Sequence, residues 1–253
     1  MDLKLKGKNV IVTGGSKGIG AGICKVFACE GANLIINYRS DHVAAQRFAD
    51  DLIRNWGIRA VPVYADMTCP EDIDRLYREA EKQFPSLDVL VNNAACNVVF
   101  KPFQDYTADE WKEAQQGILD PAFYMSRLFV RHCIAQEKGG HIVNILSKSA
   151  ILSSSICNLT YVANKGALTA LTRGMAKEFV RYGIIVNGII PGYVKTENQY
   201  IDGNERTERV RVLLPLKRFA QPEEIGNTAA ILSSPLFAQM IGTIVDCTGG
   251  TLI

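Results

Sequence analysis

The sequence predicts an α/β fold: a single doubly wound, parallel β-sheet of about seven strands with helices packed on both faces. Three observations predict it. Short apolar, β-branched runs alternate with amphipathic stretches of helical period along the whole chain. No linker, repeat or low-complexity segment interrupts them, and 253 residues at 47% hydrophobic and 21% charged can build one large core across 1–253. Strands separated by helices must then pair in parallel through right-handed crossovers.

The first strand is expected near 8–13, where Val10, Ile11 and Val12 form a β-branched run. A glycine-rich turn follows, and Ile23, Val26 and Phe27 give the next helix, near 18–30, its apolar stripe. Further strands are expected near 33–38, 59–65, 87–92, 140–146, 184–190 and 242–247, with helices near 41–56, 70–84, 107–137, 160–182 and 222–234. Asp41 and Thr107 suit N-caps, and Pro70 and Pro222 suit a first helical turn, where a missing N–H costs nothing. The least regular stretch, 193–216, lies beyond a strand's carboxyl end, where such sheets bind ligands. Its many charges read mostly as a solvated surface helix.

Composition narrows the function. A net charge of +2 gives no reason to expect nucleic acid or an anionic membrane as partner. No apolar run reaches the roughly 18 residues needed to span a bilayer, and Met1 to Lys6 lack the apolar stretch of a secretion signal. Seven cysteines without a Cys-x-x-Cys pair suit a reducing compartment, so a cytoplasmic protein is expected. The histidines at 42, 132 and 141 are scattered, so no metal site is expected. Cys96 follows the turn Asn93-Ala94-Ala95 and reads as a buried thiol more readily than as an active-site residue.

Two motifs carry chemistry. Gly14-Gly15-Ser16-Lys17-Gly18-Ile19-Gly20 joins a strand to a helix, and its Gly-x-x-x-Gly-x-Gly spacing is a variant of the dinucleotide fingerprint. Glycines there let backbone approach a pyrophosphate, and the helix N-terminus offers N–H groups and a positive dipole end. Tyr161 and Lys165 stand four residues apart, one helical turn, so both leave the same face. A tyrosine holds its proton to a pKa of about 10. A neighbouring ammonium is expected to draw that down, and reaching neutrality takes about 4 kcal/mol.

Together these residues resemble the short-chain dehydrogenase/reductase family, and the resemblance covers essentially the whole chain. The matching pieces come in family order: Thr13 to Gly20, Asp66, Asn92-Asn93-Ala94, Ser147 with Tyr161 and Lys165, Asn187, Pro191-Gly192 with Thr196, and Asp246 to Gly250. The resemblance implies a Rossmann-type fold and a hydride exchanged between a nicotinamide cofactor and a ketone or secondary alcohol. It implies Ser147, Tyr161 and Lys165 as the catalytic set. It also implies cofactor contacts from Gly14, Ser16, Lys17, Gly18, Ile19, Gly20, Tyr38, Arg39, Asp66, Met67, Asn93, Ala94, Pro191, Gly192, Val194 and Thr196, with Tyr161 and Lys165 serving both roles. Ser149 is the alternative to Ser147. A homotetramer through the helices near 107–137 and 160–182, and a substrate lid over 193–216, are implied in the same way.

Cofactor choice is readable at the end of the second strand. Family members that prefer NAD carry an acidic residue at the Tyr38 position, which would repel a 2′-phosphate. Tyr38, followed by Arg39 and opposed by Lys17, favours NADP(H). Two departures stand out. Ala95 replaces a customary glycine, and Ile118 occupies the position of a fourth catalytic residue, an asparagine that supports proton resupply. Gln115, one turn earlier, is expected to share that face and to substitute in part. Ile118 keeps a second reading open, a cofactor-binding sensor or partner protein with impaired catalysis. The pocket is expected to be lined by 95–99, 148–152, 157–159 and the lid, and to accept a steroid, a sugar-derived ketone or a keto acid.

Overall fold

A computed structural model describes residues 1–95, 99–152, 158–197 and 203–252. Their seven strands are β1 (Asn9–Val12), β2 (Asn33–Tyr38), β3 (Ala60–Tyr64), β4 (Val89–Asn92), β5 (Gly140–Ile145), β6 (Ile184–Pro191) and β7 (Ile244–Cys247). All pair in parallel, in the order β3-β2-β1-β4-β5-β6-β7. The order reverses between β1 and β4. That switch point opens a crevice at the strands' carboxyl ends.

The described residues form seven α-helices: α1 (Gly18–Cys29), α2 (His42–Trp56), α3 (Pro70–Gln83), α4 (Ala108–Ala135), α5 (Leu159–Phe179), α6 (Glu205–Leu213) and α7 (Pro222–Leu232). Strand side chains alternate between faces, so β1 feeds two cores. Val10 and Val12 pack with Ile23 and Phe27 of α1, Leu52 of α2 and Ile225 of α7. Ile11 packs with Leu76 of α3, Met125 and Phe129 of α4 and Met175 of α5. A parallel sheet covered on both faces needs such continuously apolar strands.

The expected caps are present. Asp41 accepts from Ala44 N at 2.9 Å. Thr107 accepts from Glu110 N while the Glu110 carboxylate accepts from Thr107 N, a closed capping box. Pro70 and Pro222 begin their helices. The irregular stretch holds α6, whose charges pair along its own surface, Arg209 with Glu205 and Arg211 with Glu208. Among the described residues no helix is long and apolar enough to cross a membrane, and no group of side chains could hold a metal ion.

His141 on β5 links this packing to pH. Burial above all, with the Lys8 ammonium adding to it, holds its imidazole down at about 4. Unfolding restores the ordinary value of about 6.5. As pH falls, the unfolded chain therefore takes up the proton first, and stability present above 6.5 is lost between there and about 4. The urea midpoint is expected to decline through that window, and less steeply in His141→Gln. Parallel profiles for the two proteins would refute the assignment.

Candidate active site

The turn from β1 into α1 is built by close approach. Gly14 takes φ +59°, and a Cβ on Gly20 would lie 2.1 Å from the Gly14 carbonyl oxygen and 2.7 Å from Asn93 Nδ2. Only glycine lets α1 seat its first turn this tightly on the loop. Opposite, Asn93 Nδ2 donates to the Thr13 and Gly14 carbonyls at 2.9 and 3.1 Å, and Gly14 N donates to Asn37 Oδ1 at 2.9 Å.

Above this turn lies a cleft of about 380 Å3. It is lined by Gly14, Ser16, Lys17, Ile19, Tyr38, Arg39, Asp66, Met67, Asn93, Ala94 and Thr196, all expected from the sequence. Asn37, Ser40, Thr68 and Gly117, not singled out beforehand, complete it with Ala65 and Ala95. Asn37 could have been suspected as a polar residue in an apolar strand. Lys17 and Arg39 have no carboxylate partner among the described residues. The acid that lines the cleft, Asp66, accepts from Thr68 N and Oγ1, both at 2.9 Å. Tyr38 is fixed by a 2.6 Å hydrogen bond between its hydroxyl and His42 Nδ1. A cradle of close backbone, unpaired cations and a helix N-terminus fits a dinucleotide phosphate.

The other expected cofactor residues sit beside the cleft. Gly18 opens α1, and its N–H donates to the Glu197 carboxylate at 3.1 Å, so an acid of the 193–216 segment rests on the same dipole end. Pro191 ends β6, Gly192 borders a separate cavity of about 270 Å3, and Val194 is buried and bridged to Ala220.

Ser147 leaves the carboxyl end of β5 and accepts from Ser149 N at 3.2 Å. Ser149 is thereby the residue that positions Ser147 from its backbone. Tyr161 and Lys165 occupy the first turns of α5. Lys165 is 3% exposed, and its Nζ donates to the Ile145 carbonyl at 2.6 Å, which ties α5 to the end of β5. Ser147 lies near the Tyr161 hydroxyl and Lys165 beneath its ring, so the three expected residues converge. The direction of the Tyr161 pKa departs from expectation. Burial dominates and pushes the phenol above its ordinary value, the nearby Ser147 hydroxyl opposes it, and Lys165 Nζ stands 6.0 Å from the ring centroid.

Helix α4 corrects a second expectation. Ile118 is 2% exposed and borders a cavity of about 290 Å3 together with Thr160, Tyr161 and Glu113. Gln115 is exposed and donates to Asp120 Oδ1 at 3.1 Å, so it does not share that face. Pro121 lies inside the same helix and has no N–H to give the carbonyl four residues back, that of Gly117. Of the expected pocket wall, Cys96, Asn97, Val98 and Cys157 lie outside the described residues, while Ile151 and Leu152 form an exposed apolar rim.

Fold and site define a dinucleotide-dependent oxidoreductase. The family profile described as "Enoyl-(Acyl carrier protein) reductase" matches residues 14–251, and the chain belongs to the short-chain dehydrogenase/reductase family, whose members use nicotinamide cofactors. It is 33% identical to 5-keto-D-gluconate 5-reductase of Escherichia coli strain K12, over 98% of this chain and 97% of that one. The L-sorbose reductase of Gluconobacter frateurii, solved with NADPH and L-sorbose, superposes with a TM-score of 0.92 at 28% identity, covering 100% and 99% of the two chains. A short-chain dehydrogenase from Burkholderia cenocepacia J2315, solved with NADP, gives 0.90 at 27% identity over 99% and 100%.

The packing at Gly20 sets a direct test. Gly20→Ala should lower the thermal midpoint and weaken nucleotide binding by at least about tenfold, since backbone rather than a flexible side chain must yield. Calorimetric titration with NADP reads the second effect. An alanine variant unchanged in both would show that the turn tolerates a Cβ.

Proposed function

We propose that this protein is an NADPH-dependent reductase of a ketone, with Ser147, Tyr161 and Lys165 as its catalytic residues. The reading rests on one observation above all: Ser147 stands near enough to the Tyr161 hydroxyl to oppose the effect of its burial, beside a buried Lys165, at the strand ends that also bear the cleft. When bound, the reduced nicotinamide supplies hydride to the carbonyl carbon. Tyr161 gives the carbonyl oxygen its proton as general acid, and takes it back as base in alcohol oxidation. A phenol whose pKa is raised by burial is fully protonated at neutral pH, which suits the reducing direction. Ser147 donates to the oxygen as charge develops there, as an oxyanion-hole group does. Lys165, anchored on Ile145, holds a positive charge below the tyrosine and orients the nicotinamide ribose.

NADP(H) rather than NAD(H) follows from charge. Lys17 and Arg39 would otherwise face each other's repulsion in the cleft, and no carboxylate stands at the Tyr38 position. Relatives solved with NADPH and NADP agree with this choice. The chain acts as one unit over 1–253, with 193–216 as the lid. It works in the cytoplasm as a homotetramer, and exposed Trp111, Phe123 and Ile134 on α4 suit burial against a partner copy.

The proton that leaves Tyr161 has to be replaced, and Ile118 carries no polar atom to help. Polar groups that α4 offers nearby are the Glu113 side chain, which borders the cavity of Ile118 and Tyr161, and the Gly117 carbonyl, which lacks the Pro121 N–H. Buried Ile118 is also what favours the second reading, a cofactor-binding protein without turnover. NADPH binding with no activity on any ketone, and activity only in Ile118→Asn, would select it.

Two further outcomes are expected. NADPH should bind at least about tenfold more tightly than NADH, and Arg39→Ala should remove most of that difference. Equal affinities in the wild type would discard the assignment of the β2 end. Tyr161→Phe should lower kcat by about 10²- to 10⁴-fold and leave NADPH affinity within a few-fold. A phenylalanine variant retaining more than about a hundredth of kcat would exclude Tyr161 as the acid.

A further inference from the structure

Lys148, the residue after Ser147, carries an ammonium that faces an aromatic ring. Its Nζ lies 3.7 Å from the centroid of the Tyr193 ring, and no carboxylate pairs with it among the described residues. A ring face holds a cation in place through its quadrupole but does not neutralise it. The charge stays available to a second partner.

The surroundings define that partner. Lys148 and Tyr193 form one wall of a cavity of about 320 Å3. Val210, Leu213, Leu214 and Pro215 of the 193–216 segment form the other, and Gly250 and Thr251 close it. Among the described residues of that lining, Lys148 is the one that carries a charge. Charges beside this wall are paired elsewhere: Arg209 with Glu205 and Arg211 with Glu208 on the segment itself, and just after it Lys217 with the Val212 carbonyl and Arg218 with Glu224. The lid thus presents apolar groups to the cavity, and exposed Leu213 is among them. Lys148 follows Ser147 directly, so its side chain leaves the backbone about 3.8 Å from the serine's own Cα. Tyr193 is tied just as closely to the other side of the site, since it follows Pro191-Gly192 at the end of β6.

We propose that Lys148, held on Tyr193, receives the carboxylate of the substrate, and that the substrate class is oxo acids reduced to hydroxy acids. The inference rests on the reductase reading above and narrows it from ketones at large. A steroid offers no anion to this ammonium. A neutral sugar would leave the charge unpaired against this apolar wall, which costs binding. A charge-assisted hydrogen bond to a carboxylate is worth about 10- to 100-fold in affinity.

Two matched pairs test it: an oxo acid with its methyl ester, and an oxo-aldonate with the ketohexose of the same chain length. Wild-type protein with NADPH should favour the acid of at least one pair by about 10- to 100-fold in kcat/KM. Lys148→Met should reduce that ratio to within about threefold, chiefly through KM of the acid, and Lys148→Arg should keep most of it. No preference in the wild type, or an undiminished preference in Lys148→Met, would overturn the proposal and leave the reductase assignment standing. If no compound is turned over, the reductase assignment fails instead. Calorimetry with the hydroxy acids and their neutral counterparts then decides the role of Lys148 without turnover. Binding of the acids that is lost in Lys148→Met supports the proposal, and indifference to the carboxylate rejects it.

Discussion

The clasp between the ends of β1 and β4 is the constraint on which the rest of the site depends. Thr13 Oγ1 accepts from Asn93 N and Ala94 N at 2.9 and 3.0 Å, and donates to the Val91 carbonyl at 3.3 Å. Asn93 answers with its own amide on the Thr13 and Gly14 carbonyls. The parallel ladder brings the strands together as far as Val12 and Val91, and the clasp fixes the two chain ends beyond it, where the strand order turns outward on either side. With the ends held, the Gly14 turn is pinned against α1, Asn37 reaches Gly14 from the end of β2, and the cleft has a rigid floor. Each bond contributes only about 1 kcal/mol net. Their worth lies in fixing backbone N–H and carbonyl positions to which a phosphate must conform.

A second set of buried polar contacts does the same for the catalytic side. Asn92 Nδ2 donates to Ser126 Oγ and Asn144 Oδ1, Asn144 Nδ2 donates to Thr172 Oγ1, and Thr172 donates to the Leu168 carbonyl. This chain runs from β4 and α4 through β5 into α5, and all its side chains are buried. In a low-dielectric interior each of these groups would be costly unpaired, so the register of α5 on the sheet is sharply specified. Lys165 completes the attachment at Ile145. The spacing of Ser147, Tyr161 and Lys165 is therefore set by polar contacts beneath them as much as by their own bonds.

Much of this was legible in the sequence because it is local. Strand runs, the N-caps at Asp41 and Thr107, and the prolines at 70 and 222 act within one turn of themselves. Where reading failed, the physics was non-local or finer than the pattern. Gln115 was placed with Ile118 on helical spacing, yet three residues leave about 60° of rotation. On α4 that is enough to cross from the buried stripe to solvent, where Asp120 takes the amide. The Tyr161 pKa was judged from a neighbouring charge visible in the sequence, but burial, invisible there, outweighs it. Pro121 was in plain view; what it denies to Gly117 emerges only once α4 is seen to run unbroken through it. Lys148 and Tyr193 are far apart in sequence and meet because β5 and β6 are neighbours in the sheet.

Charge placement makes the same point about function. The net charge of +2 is uninformative, since it averages over ion pairs that cancel on the surface. Lys8 and Lys138 converge on Asp88, Lys101 meets Glu110, and Arg218 meets Glu224. Several cations have no carboxylate partner among the described residues, and some of these border the cavities at the strands' carboxyl ends. Lys17 and Arg39 stand in the nucleotide cleft, and Lys148 stands across the catalytic residues from them. Holding a cation without its counterion sacrifices a favourable contact, and a folded chain does so readily only at the surface or where a ligand supplies the missing charge. On the proposed reading that charge is a phosphate at the cleft and a carboxylate beyond Ser147. Tyr161 sits beside Ser147, where burial outweighs neighbouring charge in setting the phenol's affinity for its proton.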